Sequence, residues 1–174
     1  MSHRTRYRPL LLLLLSLILA GCGYHLTNSS TQRLSAGQTL WVPFIGNESV
    51  SPTAQTVLRR ALYDECHALR GLVAADSETT ADLYMKGKLV SYSSSVISYS
   101  ALDQAREYRL TLNVALELYR KGVAVPLWKG MLQASQNYPT NANLALQRNA
   151  EERALDAAAR IIAQKFIQST EQSY

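Results

Sequence analysis

The sequence predicts an α+β fold: a two-layer sandwich in which two helices cover one face of a four-stranded, mostly antiparallel sheet. Between residues 81 and 138 lie segments, 81–90 and 106–119 above all, in which apolar and polar residues alternate with the period of two that is typical of strands. Two further segments carry apolar stripes at helical spacing. With 47% hydrophobic residues in a chain of 174, there is enough apolar material for one core. The predicted order is β-α-β-β-β-α.

The first strand and the first helix are predicted between residues 38 and 71. Residues 38–44, QTLWVPF, are rich in strand formers and end beside Pro43. Ser51, which precedes Pro52, is a candidate helix cap. From residue 53 onward apolar residues recur every three or four positions, and Gly71 closes the segment, so an amphipathic helix is expected there.

Three long strands are predicted next. Residues 81–90 alternate and run on into SYSSSVISYS, residues 91–100. Residues 106–119 alternate more regularly, and residues 126–138 form the third segment. One face of the middle strand carries Tyr108, Leu110, Leu112, Val114, Leu116 and Leu118, and the other carries Arg109, Thr111, Asn113 and Glu117. The three segments are close enough in sequence to form an antiparallel meander.

The last predicted element is a helix that follows Pro139 and Asn141. Its apolar stripe consists of Ala154, Leu155, Ala158, Ile161, Ile162 and Phe166. Two amphipathic helices can together cover one face of the sheet, which leaves the other face open. We expect one domain over residues 38–170, followed by a short tail at 171–174.

The N-terminus has the pattern of an export signal that ends at a cysteine. Arg4, Arg6 and Arg8 precede an apolar run, and this run is shorter than the roughly 20 residues of a bilayer span, so residues 1–21 are predicted to be a signal peptide. The tetrapeptide LAGC, residues 19–22, resembles a bacterial lipobox, which implies S-diacylglycerol and N-acyl groups on Cys22. Several acyl chains give a durable membrane anchor. Residues 22–37 would then be the lipidated N-terminus and a tether.

The net charge of the exported part is too small to indicate a nucleic-acid-binding protein. The chain has 18 basic and 13 acidic side chains, and removal of the three N-terminal arginines leaves 15 basic against 13 acidic. Nucleic-acid-binding domains usually carry a marked basic face, so no nucleic acid is expected as a partner. Any anion site must therefore depend on a local cluster of cations.

No pattern of an enzyme active site is present in the sequence. Metal-binding, phosphate-binding and nucleophile-elbow motifs are absent, so neither a metal site nor a cofactor is predicted. Cys66 and His67 are adjacent on the first helix, where side chains point about 100° apart and cannot easily share a proton. Cys66 is interpreted as a small core residue. A hydrolase that uses Cys66 or His67 is a remote alternative.

The Ser- and Tyr-rich segment 91–100 is the most unusual feature of the exported chain. A long, uncharged, polar strand end would be a poor free edge, because its main-chain groups invite pairing with other chains. A partner that covers this segment would remove that hazard. The alternative interpretation is an exposed hairpin tip with no partner.

Together these segments resemble the lipopolysaccharide-assembly lipoprotein family, LptE. The resemblance spans Cys22 to about Gln168, and CGYHL and AREYRL carry most of its weight. The supporting segments are VPFIGNES, LRRALYDE, ADLYMKGKLVSYSSS, EYRLTLNVALELY, the PLW strand, the YP turn and the alanine-rich last helix.

The resemblance implies an outer-membrane lipoprotein that is not an enzyme. Members of the family sit as a plug in the lumen of the β-barrel LptD on its periplasmic side, help it assemble and bind lipopolysaccharide; a 1:1 heterodimer is expected. Arg and Lys suit the lipid's phosphates, and the candidates are Lys86, Lys88, Arg106, Arg109 and Arg148. Candidates for contact with the barrel are Tyr92, Ser94, Tyr99 and Tyr108.

A regulatory lipoprotein that activates a cell-wall synthase is the main alternative. Such proteins also join a lipobox and a tether to a small α/β domain. Their tethers are typically longer and rich in proline, whereas residues 23–37 contain none, which counts against this alternative.

Overall fold

The computed structural model describes residues 34–172. The predicted signal peptide, Cys22 and most of the predicted tether lie outside the described residues. The strands are β1 (Thr39–Trp41), β2 (Gly46–Asn47), β3 (Val73–Ala74), β4 (Leu83–Tyr99), β5 (Ala105–Arg120) and β6 (Trp128–Pro139), and the helices are α1 (Ala54–Arg70) and α2 (Leu144–Gln172).

The strands form one mixed sheet in the order β3-β1-β4-β5-β6, with β2 paired to β4. β4, β5 and β6 form the predicted antiparallel meander. β1 pairs in parallel with both β3 and β4, and β2 also pairs with β4 in parallel. The α+β sandwich is therefore confirmed, but the sheet has six strands and not four. β2 and β3 have two residues each, too few for a periodic signal in the sequence.

α1 follows the predicted apolar stripe, but its N-terminus differs from the prediction. The helix begins at Ala54 after Thr53, whose side chain makes no capping hydrogen bond, so the expectation that Ser51 is the cap was wrong. Gly71 ends the helix in the left-handed conformation, at φ 64°, and its N–H donates to the carbonyl of His67. This φ is accessible to glycine at little cost, which is why the helix stops there.

The core lies between the two helices and one face of the sheet. The alternate leucines of β5 and the stripe of α2 are buried in it, and Ile161 of that stripe is only partly buried. Trp128 of β6 packs edge-on against Phe166 of α2, with ring centroids 5.2 Å apart. A Cβ on Gly130 would lie 2.6 Å from the ring of Trp128, so this tight packing requires glycine.

A β-bulge divides β4 into two halves that present opposite alternations. Leu89 pairs with Val114, but Ser91 pairs with Asn113, so Val90 has no partner in the ladder. An extra residue of this kind inverts which side chains face the core. Before the bulge the odd-numbered residues of β4 face the helices, and after it the even-numbered residues Tyr92, Ser94 and Val96 do, up to a second irregularity at Ile97.

Candidate functional site

The sheet face that points away from the helices is polar and uncovered in the described part of the chain. We call it the open face. Its main side chains are Lys86, Lys88, Ser91, Ser93 and Ser95 of β4, Arg109, Thr111, Asn113, Glu117 and Tyr119 of β5, and Lys129, Gln133, Ser135 and Asn137 of β6. The β5 residues that were predicted to lie opposite the core are all on it.

Cross-strand hydrogen bonds fix the polar side chains in the middle of the open face and in the part nearer the β4–β5 hairpin tip. The amide of Asn113 donates to Ser91 Oγ at 2.7 Å, and the hydroxyls of Thr111 and Ser135 are 2.9 Å apart. Arg109 Nε donates to Asn137 Oδ1 at 3.0 Å. Pairs of this kind stabilise a sheet and also hold polar groups in fixed positions. The face therefore offers a preformed polar surface to a partner.

The other end of the open face carries an aromatic and ionic cluster. The rings of Tyr84 and Tyr119 stack with centroids 5.1 Å apart, and Lys86 Nζ lies 5.1 Å from the Tyr119 centroid. Glu117 accepts from Lys129 at 2.6 Å and from the Tyr119 hydroxyl at 2.5 Å. Both bonds lower the pKa of Glu117, and the bond from Lys129 has the larger effect. The bond to Glu117 in turn raises the pKa of Tyr119.

The register separates the predicted cations of this face into two groups. Lys86 and Lys88 lie opposite Glu117 and Ala115, whereas Arg109 lies opposite Ser95. Six to eight residues of strand place Arg109 roughly 20–26 Å from the lysines. Lys88 is paired with Glu48 at 2.9 Å, and Lys86 acts electrostatically on Glu117, whose pKa it helps to lower. Arg109 forms no ion pair in the described part of the chain.

Three of the predicted barrel contacts lie on the helix side: Tyr92 and Ser94 because of the bulge, and Tyr108 through the regular alternation of β5. The Tyr92 hydroxyl donates to Glu151 of α2, and burial, with this bond, raises the pKa of Tyr92. The hydroxyls of Ser94 and Tyr138 lie 2.6 Å apart, and Tyr108 stacks on Tyr138 with centroids 5.5 Å apart. These side chains therefore hold the hairpin to β6 and α2 within the chain itself.

Beyond the bulge, toward the hairpin tip, β4 has no neighbouring strand on its outer side within residues 34–172. We call the outer main-chain groups of Tyr92, Ser94 and Val96 the distal β4 edge. The last bond from β2 joins Glu48 N to the carbonyl of Leu89. Beyond it, Tyr92, Ser94 and Val96 direct their N–H and C=O groups away from β5, because Ser91, Ser93 and Ser95 occupy the pairing positions. This is the edge whose exposure was expected from the Ser- and Tyr-rich sequence.

The remaining predicted residues lie near the hairpin tip. Tyr99 is 61% exposed and is followed by Leu102, which is 81% exposed. Arg106 is exposed at an irregularity of the β4–β5 register. Arg148, on the first turns of α2, lines a shallow cleft of about 160 Å³ beside Tyr92 and Glu151. The structure does not bring these arginines into one cluster with the lysines of the open face.

Cys66 and His67 have the surroundings of structural residues. Cys66 is fully buried, as predicted, and burial raises the pKa of its thiol to about 12. His67 Nδ1 lies 2.9 Å from the carbonyl of Leu72, at the end of α1. No group of three metal-binding side chains occurs among the described residues. Nor does this part of the chain contain a helix with the length and apolarity of a membrane span.

Comparison with known proteins identifies the family. A family model described as LptE, lipopolysaccharide-assembly, matches residues 37–170. The chain belongs to the LptE family. The predicted family is thereby confirmed, and the chain is a member of a non-enzymatic lipoprotein family of lipopolysaccharide transport and outer-membrane assembly. A search of curated proteins found no significant match.

Solved structures share the fold of this LptE-family chain at low sequence identity. Rare lipoprotein B of Shewanella oneidensis is 16% identical with a TM-score of 0.51, covering 75% of this chain and 92% of the other. A lipoprotein of Caulobacter crescentus is 16% identical with a TM-score of 0.51, covering 73% and 87%. A hypothetical protein of Chlamydia trachomatis is 8% identical with a TM-score of 0.55, covering 78% and 96%.

Several residues of the open face were not singled out as site candidates from the sequence. The aromatic cluster includes Tyr84 and Tyr119, which lie on β4 and β5. The cross-strand hydrogen bonds include the one from Arg109 to Asn137, which lies on β6. Their positions at alternate places in period-two segments are the one sequence signal that could have indicated them.

Proposed function

We propose that the chain is a lipoprotein held in the outer membrane through acylated Cys22, which occupies the lumen of an LptD-like barrel in a 1:1 complex and helps it assemble. The observation that carries the proposal is the one-sided core of an LptE-family chain: both helices pack on one sheet face, and the other is an ordered polar surface. A barrel lumen is lined with inward-facing polar side chains, which complement such a surface.

The distal β4 edge adds a second contact to this proposal. Its unpaired main-chain groups at Tyr92, Ser94 and Val96 can bond to polar groups of the barrel wall. The side chains of Tyr92, Ser94 and Tyr108 then support the hairpin from within, and exposed Tyr99 is the barrel-contact candidate at the tip. No catalysis is part of this function.

We further propose that the same complex binds lipopolysaccharide through cations without carboxylate partners. Arg106, Arg109 and Arg148 meet that condition among the described residues, whereas Lys88 is already paired with Glu48 and Lys86 lies opposite Glu117. Arginine forms bidentate bonds with phosphate, so Arg109, held by Asn137, is the best-oriented candidate.

Copurification from detergent-solubilised outer membranes tests the assignment. The tagged full chain should bring down a large β-barrel at a 1:1 ratio, and mass spectrometry should find the acyl groups on Cys22. Thr111→Arg places a bulky charge on the open face and should abolish the complex, whereas Thr56→Arg, on the exposed side of α1, should retain it. Recovery of a cell-wall synthase in place of a barrel would support the regulatory alternative and reject the proposal.

A further inference from the structure

The outer edge of β6 differs from the other end of the sheet in length and in its surroundings. At the opposite end, β3 has two residues, and so short an edge offers little to an incoming strand. β6 has twelve residues, and no strand of the described chain lies beyond it. A long free edge of this kind is suited to strand addition unless something covers it.

Hydrogen bonds show which main-chain groups of β6 face outward. Lys165 Nζ of α2 donates to the carbonyl of Gln133 at 2.8 Å, so this carbonyl points away from β5. In an antiparallel pair the direction alternates, so the N–H and C=O groups of Ser135 and Asn137 point outward as well. Thr140 N donates to the Arg106 carbonyl at 3.0 Å, which shows that the main-chain groups of the even-numbered residues on this side point toward β5.

Only part of this edge is covered. Lys165 occupies the outward carbonyl at Gln133, whereas the outward groups of Ser135 and Asn137 have no partner among residues 34–172. Pro139 ends the strand and lacks an N–H, so pairing cannot continue past it. Ser135–Asn137 is therefore a short, defined docking segment.

A cleft of about 160 Å³ lies beside this segment, between β6 and α2. Tyr138 and Pro139 line it from the strand, and Ala150, Arg153 and Ala154 line it from the helix. An extended chain added to β6 would direct alternate side chains toward this cleft and the others over the open face. A groove between an edge strand and a helix is a recurring geometry for recognition of extended peptides.

The charge at the cleft indicates which peptide it fits. Arg153 is exposed, lines the cleft and has no ion pair in the described part of the chain. Two later cations of α2 are occupied, Arg160 by Glu65 and Lys165 by the Gln133 carbonyl, and the unpaired Arg148 lines a different cleft, beside Tyr92. A carboxylate is the complementary group for a guanidinium at the rim of such a groove.

We propose that the β6 edge binds an extended peptide segment of a partner protein, which adds as a strand along Ser135–Asn137 and presents an acidic side chain to Arg153. This site is separate from the distal β4 edge and adds a second partner surface to the proposed barrel complex. Its test contains no barrel, so its outcome is independent of the proposed function.

The probe is a phage-displayed library of random heptapeptides, selected against the full chain in detergent micelles. We expect the enriched peptides to have β-branched residues at every second position and Asp or Glu at one fixed position. Ser135→Pro removes an outward N–H without removing a β5–β6 ladder bond, and should weaken peptide binding at least tenfold. Arg153→Glu should weaken it to a similar degree through charge reversal.

Ser135→Ala is the matched control, because it also loses the Ser135 hydroxyl bond to Thr111 but keeps the main-chain N–H. It should bind as the unaltered chain does. As a measurement that needs no variant, peptide binding should slow hydrogen exchange of the Ser135 and Asn137 amides and leave that of Gln136, which already bonds to β5, unchanged. Failure to enrich peptides, or equal binding by Ser135→Pro and Ser135→Ala, would overturn the proposal. So would self-association of the chain that Ser135→Pro abolishes, since a second copy would then occupy the edge.

Discussion

At the scale of single residues, the availability of a cation depends on the partners it already has. Lys88 and Lys129 are held by Glu48 and Glu117 at 2.9 and 2.6 Å, so each of these lysines already has a carboxylate partner within the chain. Arg109 is different, because its Nε is fixed by Asn137, a neutral group that orients the guanidinium without cancelling its charge. Such an arginine keeps its remaining N–H groups for a phosphate.

Arg106→Ala combined with Arg109→Ala should lower the affinity of the purified chain for lipopolysaccharide at least tenfold, because one charge-assisted hydrogen bond contributes roughly 1.5–3 kcal/mol and about 1.4 kcal/mol is a factor of ten. The measurement is titration of the labelled lipid at fixed ionic strength. Arg60→Ala is the control, since Arg60 is paired with Asp156 between the helices, away from the open face. The double variant removes two charges and Arg60→Ala removes one, so a loss of binding free energy in Arg60→Ala half as large as that in the double variant would show that the effect is one of net charge alone.

At the scale of elements, a strand with few main-chain hydrogen bonds is held in place by additional bonds to side chains. β1 has three residues, yet both the N–H and the hydroxyl of Thr39 donate to Asp82 Oδ2, at 2.9 and 2.8 Å. Asp82 N in turn donates to Thr39 Oγ1 at 2.9 Å. These bonds join the start of β1 to the start of β4, and the main-chain bond is the first cause of the lowered pKa of Asp82.

The stability that depends on Asp82 should be lost in acid. Because the folded-state pKa is lower than the unfolded one, near 3.9, the contribution is complete above that value and disappears as the pH falls through the folded pKa. The difference in unfolding free energy between the unaltered chain and Asp82→Asn, from urea titrations, should therefore shrink between about pH 5 and about pH 2.5. Asp76→Asn, at an exposed residue without a side-chain hydrogen bond in the described chain, should show no such trend; a parallel trend would refute the assignment.

At the scale of the whole molecule, the sequence predicted the layers but not the positions along them. Alternation in residues 106–119 identified the buried and open faces of β5, because the polarity of each residue indicates on which face of the sheet its side chain lies. The bulge at Val90 leaves no comparable signal, and it moves Tyr92 and Ser94 to the helix side. The separation of Lys86 from Arg109 depends on strand register, which is set by the assembled hairpin and is not encoded in either strand alone.

The same bulge leads to a pattern of hydrogen exchange that tests how the molecule meets its barrel. In the isolated chain, the amides of Tyr92, Ser94 and Val96 should exchange much faster than those of Ser91, Ser93 and Ser95, because the first set points away from β5 and the second bonds to it.

If the barrel wall supplies acceptors to this edge, the fast set should slow at least tenfold in the complex, while the amides of Leu112 and Val114 in the core of β5 stay protected in both states. NMR would resolve the alternation in the free chain, and mass spectrometry with electron-transfer fragmentation would follow it in the complex. Unchanged exchange of Tyr92, Ser94 and Val96 in a stable 1:1 complex would show that the barrel contacts the open face without pairing to the hairpin edge.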